Sequence, residues 1–102
     1  MANNLQVPLF IGEHEFISFD FTYRLQPGQT VVSAVYTCEA PVTEDAATAA
    51  VNSAGTIAQA RFYVPPTAVN GTRYTVQCTV TCANPVATKI LYALILAIEV
   101  PT

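Results

Sequence analysis

Runs of alternating apolar and polar residues, turn signals at spacings of roughly 8 to 15 residues, and the absence of any amphipathic helical pattern predict an all-β chain. The count of about seven strands with long crossover loops at 41–55 and 65–71 favours an immunoglobulin-like β-sandwich over a small barrel. The 102 residues make one domain, large enough to bury roughly 60 to 70% of the surface its unfolded form exposes. The frame is set by the last third. Thr72 to Cys82 alternates strictly, with Tyr74, Val76, Cys78, Val80 and Cys82 on one face and Arg73, Thr75, Gln77, Thr79 and Thr81 on the other, the pattern of a half-buried strand. The chain turns at Ala83-Asn84-Pro85 into a second strand, Lys89 to Val100.

That second strand is apolar on both faces. Ile90, Tyr92, Leu94, Leu96, Ile98 and Val100 share one side, Leu91, Ala93, Ile95 and Ala97 the other. One domain core covers only one of them. With the larger residues assigned to the core, Leu91, Ala93, Ile95 and Ala97 become the candidate interface with a partner subunit, and the chain is expected to form a homo-oligomer.

Taken in order, residues 1–12 read as an apolar N-terminal arm ahead of a sandwich domain at 13–102. Leu5, Val7, Leu9, Phe10 and Ile11 supply its apolar surface, Pro8 interrupts any long ladder, and Gly12 closes it. The arm pairs either with its own domain's edge or with a neighbouring subunit. The neighbour is the expectation, because the remaining strands already suffice to close a core. These five residues complete the candidate interface. Glu13-His14-Glu15 could be written as a metal cluster, but alternate strand residues point to opposite faces and His14 is the only histidine; a solvated strand end is the better reading.

Phe16 to Tyr23 alternates again, placing Ile17, Phe19, Phe21 and Tyr23 on an aromatic inner face. Gln26-Pro27-Gly28-Gln29 is a turn. Thr30 to Ala40 then directs Val32, Ala34, Tyr36 and Cys38 inward, and the Tyr36 hydroxyl will need a partner. Pro41 to Gly55 reads as loop with one short strand near Thr48 to Val51. Thr56 to Val64 is a strand, and Pro65 to Gly71 connects it to the final hairpin.

Composition narrows the function. Charged residues are 11% and apolar residues 52%, against a usual charged share of about 25%, so much of the surface is expected to be covered in use. Net charge is −3, and the four cations, Arg24, Arg61, Arg73 and Lys89, are scattered and form no stripe that could track phosphates, which excludes nucleic acid as a partner. Met1-Ala2-Asn3-Asn4 lacks a basic region followed by an apolar run, so no export signal is expected and the compartment is cytoplasmic. The apolar run Ile90 to Ile98 falls short of the roughly 20 residues of a spanning helix, and no membrane partner is expected. Cys38, Cys78 and Cys82 are expected to be small core residues with free thiols; a Cys38–Cys78 bridge between sheets is the weaker alternative.

Catalytic groups do not assemble in the sequence. The acids sit at strand ends or on polar faces, a cysteine nucleophile would have only His14 as base, and Gly12, Gly28, Gly55 and Gly71 are isolated turn glycines. Asn70-Gly71-Thr72 formally makes a glycosylation acceptor, in the wrong compartment. No enzyme activity, cofactor, metal or small-molecule substrate is expected.

Three stretches carry a family resemblance: Phe19-Asp20-Phe21; Leu25-Gln26-Pro27-Gly28-Gln29-Thr30 continuing through Ser33-Ala34 to Tyr36; and Asn70-Gly71-Thr72-Arg73-Tyr74-Thr75-Val76 leading into a threonine-rich strand and a strongly apolar last one. Over residues 14–100 the order of these landmarks resembles the immunoglobulin-like bacteriophage virion proteins described as fiber-tail adaptors. Tyr36 stands where that family usually has tryptophan, the hairpin tip from Cys82 to Lys89 replaces its serine-glycine-arginine turn, and the apolar arm lies outside its pattern. The resemblance implies a non-enzymatic virion structural protein, assembled in several copies in the bacterial host cytoplasm, that joins fibers or neck components to the tail or head through contacts with other virion proteins. A capsid decoration protein and a soluble module binding a host surface or carbohydrate are the alternatives.

Overall fold

The computed structural model describes residues 5–101, Leu5 by its backbone alone. It is an immunoglobulin-like β-sandwich of eight strands among the described residues: β1 (Leu5–Phe10), β2 (His14–Asp20), β3 (Thr30–Cys38), β4 (Thr43–Glu44), β5 (Ala50–Val51), β6 (Ile57–Tyr63), β7 (Arg73–Ala83) and β8 (Ala87–Ile98). The long sheet has the order β1-β8-β7-β3, and the short sheet β2-β6-β4 with β5 also on β6. The runs 2-6-4 and 8-7-3 correspond to the B-E-D and G-F-C sheets of the immunoglobulin plan. β1 departs from it by pairing in parallel with β8, from Leu5 opposite Ala93 to Phe10 opposite Ile98.

Of the segment read as a separate arm at 1–12, residues 5–10 therefore form an edge strand of their own domain, and residues 1–4 lie outside the described residues. Leu9 is buried, Val7 and Ile11 pack against the core, and Phe10 faces outward at 41% exposure. The Ile11 N–H donates to Ile98 O at 2.8 Å; by alternation Leu9 and Val7 also turn their amides toward β8, leaving Pro8 on the open edge, where its missing donor interrupts no ladder. One residue later the chain changes sheets: the Gly12 N–H donates to Val64 O at 2.6 Å. Gly12 makes that switch at φ +93°, a conformation open to glycine and strained for other residues.

Local backbone chemistry corrects two faces. β2 ends at Asp20 because Asp20 Oδ1 accepts the Thr22 N–H and hydroxyl, turning Thr22–Arg24 into a 3-10 turn. Ile17, Phe19 and Phe21 are buried as expected, but Tyr23 is thrown out to 96% exposure. In β3 a register shift lies between Val31 and Ser33. This bulge reverses the alternation, so Val31 is buried and Val32 exposed, while Ala34, Tyr36 and Cys38 keep their inward phase and pack against the core.

The interior mixes Phe19, Phe21 and Phe62 with Ala58, Ala60, Ala93 and Ala97, so large and small side chains interdigitate between the sheets. Tyr36 joins the aromatic group, 5.7 Å from Phe19 and 5.3 Å edge-on to Phe62. Its hydroxyl is buried with no partner at full hydrogen-bond geometry; burial first, then the Cys78 thiol opposite it in register, raises it above its ordinary value. The partner expected for Tyr36 is thus missing, whereas Tyr74 has one. The Val69 N–H donates to Tyr74 Oη at 2.9 Å, pinning the β6–β7 connection in the manner of a tyrosine corner. The two hydroxyls give opposite expectations. Tyr36→Phe removes an unsatisfied polar atom and should leave stability unchanged or raise it by up to about 1 kcal/mol; Tyr74→Phe strands an amide and should lower it by about 1 kcal/mol. Urea midpoints at constant m-value read both.

Gln29 is the one buried polar side chain among the described residues, and it is satisfied. Its Oε1 accepts the Gln26 N–H at 3.0 Å and its Nε2 donates to Pro85 O at 2.8 Å, tying the 26–29 turn to the tip of the last hairpin.

Candidate interaction surfaces

The β7–β8 register decides which side of β8 is inside. Cys82 opposes Ala87, Cys78 opposes Leu91, Val76 opposes Ala93 and Tyr74 opposes Ile95. Directly opposed residues share a face, so the buried row of β7 carries Leu91, Ala93, Ile95 and Ala97 inward. Ala93, Ile95 and Ala97 have no exposure and Leu91 packs against the core. The β8 interface expected from sequence lies on the wrong side of the strand, because side-chain size was taken to mark the core. Of the arm's interface residues, Leu9 is in the core, Val7 and Ile11 lie against it, Phe10 alone is outward, and Leu5 begins β1 opposite Ala93.

The uncovered side holds the larger groups. Ile90, Tyr92, Leu94, Leu96 and Ile98 project from β8, and register places Gln6, Pro8 and Phe10 of β1 beside Leu94, Leu96 and Ile98. On the other flank stand Thr79, Gln77, Thr75 and Arg73 of β7, then Ser33, Val35 and Thr37 of β3. Tyr92 is 39% exposed and Val35 67%. The face is thus an apolar strip over β1 and β8 beside a row rich in hydroxyls. Arg73 is the single charged side chain among its outward strand positions. Aliphatic residues in such a row are unusual for a solvated sheet face; here Ile90, Leu94, Leu96 and Ile98 are half-buried beside the exposed Tyr92.

The short sheet's outer face has different chemistry. His14 stacks on Tyr63 with ring centroids 4.3 Å apart, and the Arg61 guanidinium lies 5.9 Å from the centroid of the half-exposed Phe16 ring. Asp45 Oδ2 accepts hydrogen bonds from His14 Nδ1 and Arg61 Nε, both at 2.7 Å. The Thr48 hydroxyl donates to Asp45 O and its oxygen accepts the Arg61 N–H. The network ties the 45–48 turn onto β2 and β6, and its polar groups are spent on one another. Burial pushes the Asp45 carboxyl up, but the bonds and charges of His14 and Arg61 outweigh it, and the net displacement is below the ordinary value of 3.8. A carboxyl depressed in the folded state adds stability above its unfolded value and loses it as pH falls through the folded one. Asp45→Asn is therefore expected to melt below wild type near neutral pH, with the gap closing in acid below about pH 4; thermal melts across pH check this.

The thiols are free. Burial, with Glu44 adding to it, pushes Cys38 up to about 11. Burial also raises Cys78, to about 12, with the neighbouring Tyr36 opposing and Glu44 adding to it. Neither is a thiolate at neutral pH. A shallow apolar depression lined by Ala50, Val51, Asn52, Ile57 and Gln59 lies beside β5, without ionisable groups. Among the described residues no three His, Cys, Asp or Glu side chains converge as metal ligands. Comparison with protein-family models, curated proteins and solved structures finds no match.

Proposed function

We propose that the chain is a non-enzymatic structural subunit that works by presenting sheet surface to other proteins: a bacteriophage virion component, present in several copies, that connects fibers or neck components to the tail or head. The observation that carries the reading is the apolar outer face of the long sheet, built from Ile90, Tyr92, Leu94, Leu96 and Ile98 with Pro8 and Phe10, which invites a protein partner far more than water or a small solute. The virion assignment rests on the motif resemblance at Phe19–Phe21, Leu25–Tyr36 and Asn70–Val76. Quantitative mass spectrometry of purified particles tests it. A few copies per particle fit a connector, a number sufficient to cover the shell fits a decoration protein, and absence from the particle overturns the virion role. Specific binding of the isolated domain on a glycan array would move the function to a soluble carbohydrate-binding module.

A further inference from the structure

We infer that the outer face of the long sheet is covered by the same face of a second copy of this chain, the two sheets packing across a two-fold axis that passes near the middle of β8. The inference rests on the reading of the chain as an assembly subunit and names its nearest partner. Charge is the first argument. Five of the seven acidic residues, Glu13, Glu15, Asp20, Glu44 and Asp45, lie on β2, β4 or the turns beside them, all belonging to the short sheet's side of the sandwich. The long sheet's outward strand positions carry only Arg73. Two chains of net charge −3 that meet long sheet to long sheet keep these five acids out of the contact, so their like charges repel less than they would with the short sheets facing. The same face offers a charged partner of either sign almost nothing to recognise.

Geometry is the second. The outward row from Ile90 to Ile98 runs about 30 Å along β8 and the four strands span about 19 Å. That is on the order of 600 Å² before side-chain relief, comparable with the roughly 800 Å² one partner gives to a standard interface. The layout is also self-complementary. The apolar strip follows β1 and β8 and the hydroxyl row follows β7 and β3, so an axis that crosses β8 at right angles in the plane between the two sheets sets apolar strip against apolar strip. The same axis sets the two Arg73 side chains, each opposite Leu96 in register, at separate points along the β7 flank, about 14 Å apart along the strands and beyond direct like-charge contact. A two-fold contact of this kind closes on itself and leaves both short sheets free for other proteins.

Light scattering coupled to size exclusion, with dilution from about 100 μM, tests the pairing, and circular dichroism checks that each variant is folded. Wild type is expected to be a dimer. Leu94→Glu and Tyr92→Glu, two outward positions of β8, should each weaken it tenfold or more, and Phe16→Glu, an exposed aromatic on the short sheet, should leave it intact. Two β8 variants are needed in case one fails to fold. A wild-type monomer at the highest concentration overturns the inference, as does a dimer that survives both β8 variants or one that dissolves with Phe16→Glu. The two levels of the reading fail separately. A chain that is monomeric alone but present in particles loses the pairing and keeps the structural role, whereas a dimer absent from particles does the reverse.

Discussion

Ile95→Lys is expected to abolish the folded state, while Leu94→Lys, one residue away, stays folded. Ile95 has no exposure and sits opposite the buried Tyr74 between Ala93 and Ala97. The substitution forfeits about 1.5 to 3 kcal/mol of apolar burial and places an ammonium among apolar neighbours, where an uncompensated charge costs at least another 3 to 5 kcal/mol or forces the lysine to deprotonate. Total stability for a domain is only about 5 to 15 kcal/mol. Leu94 points the other way, toward Gln6 and Thr75 on the outer face; a lysine there reaches water, and its effect on the monomer should stay within about 1 kcal/mol. Far-UV circular dichroism and urea unfolding distinguish the two. A folded Ile95→Lys variant would mean that the other side of β8 faces the core.

The face of β8 was the consequential feature that alternation alone could not resolve. β7 is legible because one of its faces is threonine, glutamine and arginine; β8 has leucine or isoleucine on both. Choosing the larger residues for the interior misjudges what the space between the sheets holds, since Phe19, Phe21 and Phe62 already fill much of it and leave room for Ala93 and Ala97. The missing information was the hairpin register. A tip that pairs Cys82 with Ala87 carries the unambiguous even-numbered face of β7 onto the odd-numbered residues of β8, so a turn assignment at Ala83 to Val86 would have decided it. Sandwich class was readable, and so was strand existence over most of the rest of the chain, although the two-residue β4 at Thr43–Glu44 lies where the sequence reads as loop. What failed was phase, at positions where one local event resets it: the bulge at Val31 to Ser33, and the aspartate-capped turn that sends Tyr23 into solvent. The ring of His14, Phe16, Arg61 and Tyr63 was likewise invisible, because the residues come from strands whose pairing, His14 with Tyr63 and Phe16 with Arg61, is a long-range property. Its outward alternation on β2 and β6 was present in the sequence, but no turn chemistry links those strands directly.

Deleting residues 1–11 is expected to destabilise the monomer itself by about 3 to 5 kcal/mol. Leu9 alone accounts for about 1.5 to 3 kcal/mol of burial; Val7 and Ile11, which pack against the core, add part of the same for each. The ladder from Leu5–Ala93 to Phe10–Ile98 is lost as well, and β8 becomes an unprotected edge whose free amides and carbonyls invite aggregation. The proposed pairing bears on the measurement, since the deletion also removes Pro8 and Phe10 from the outer face and any contact there would stabilise the folded chain by mass action. Unfolding must therefore be followed at several protein concentrations and compared where wild type is monomeric. A deficit that persists at the lowest concentration belongs to the strand's place in its own sandwich. One that vanishes on dilution would instead assign β1 to a neighbouring subunit, with Leu9→Ala as the milder check: a loss of about 2 to 5 kcal/mol at every concentration is what a core position in the same chain requires.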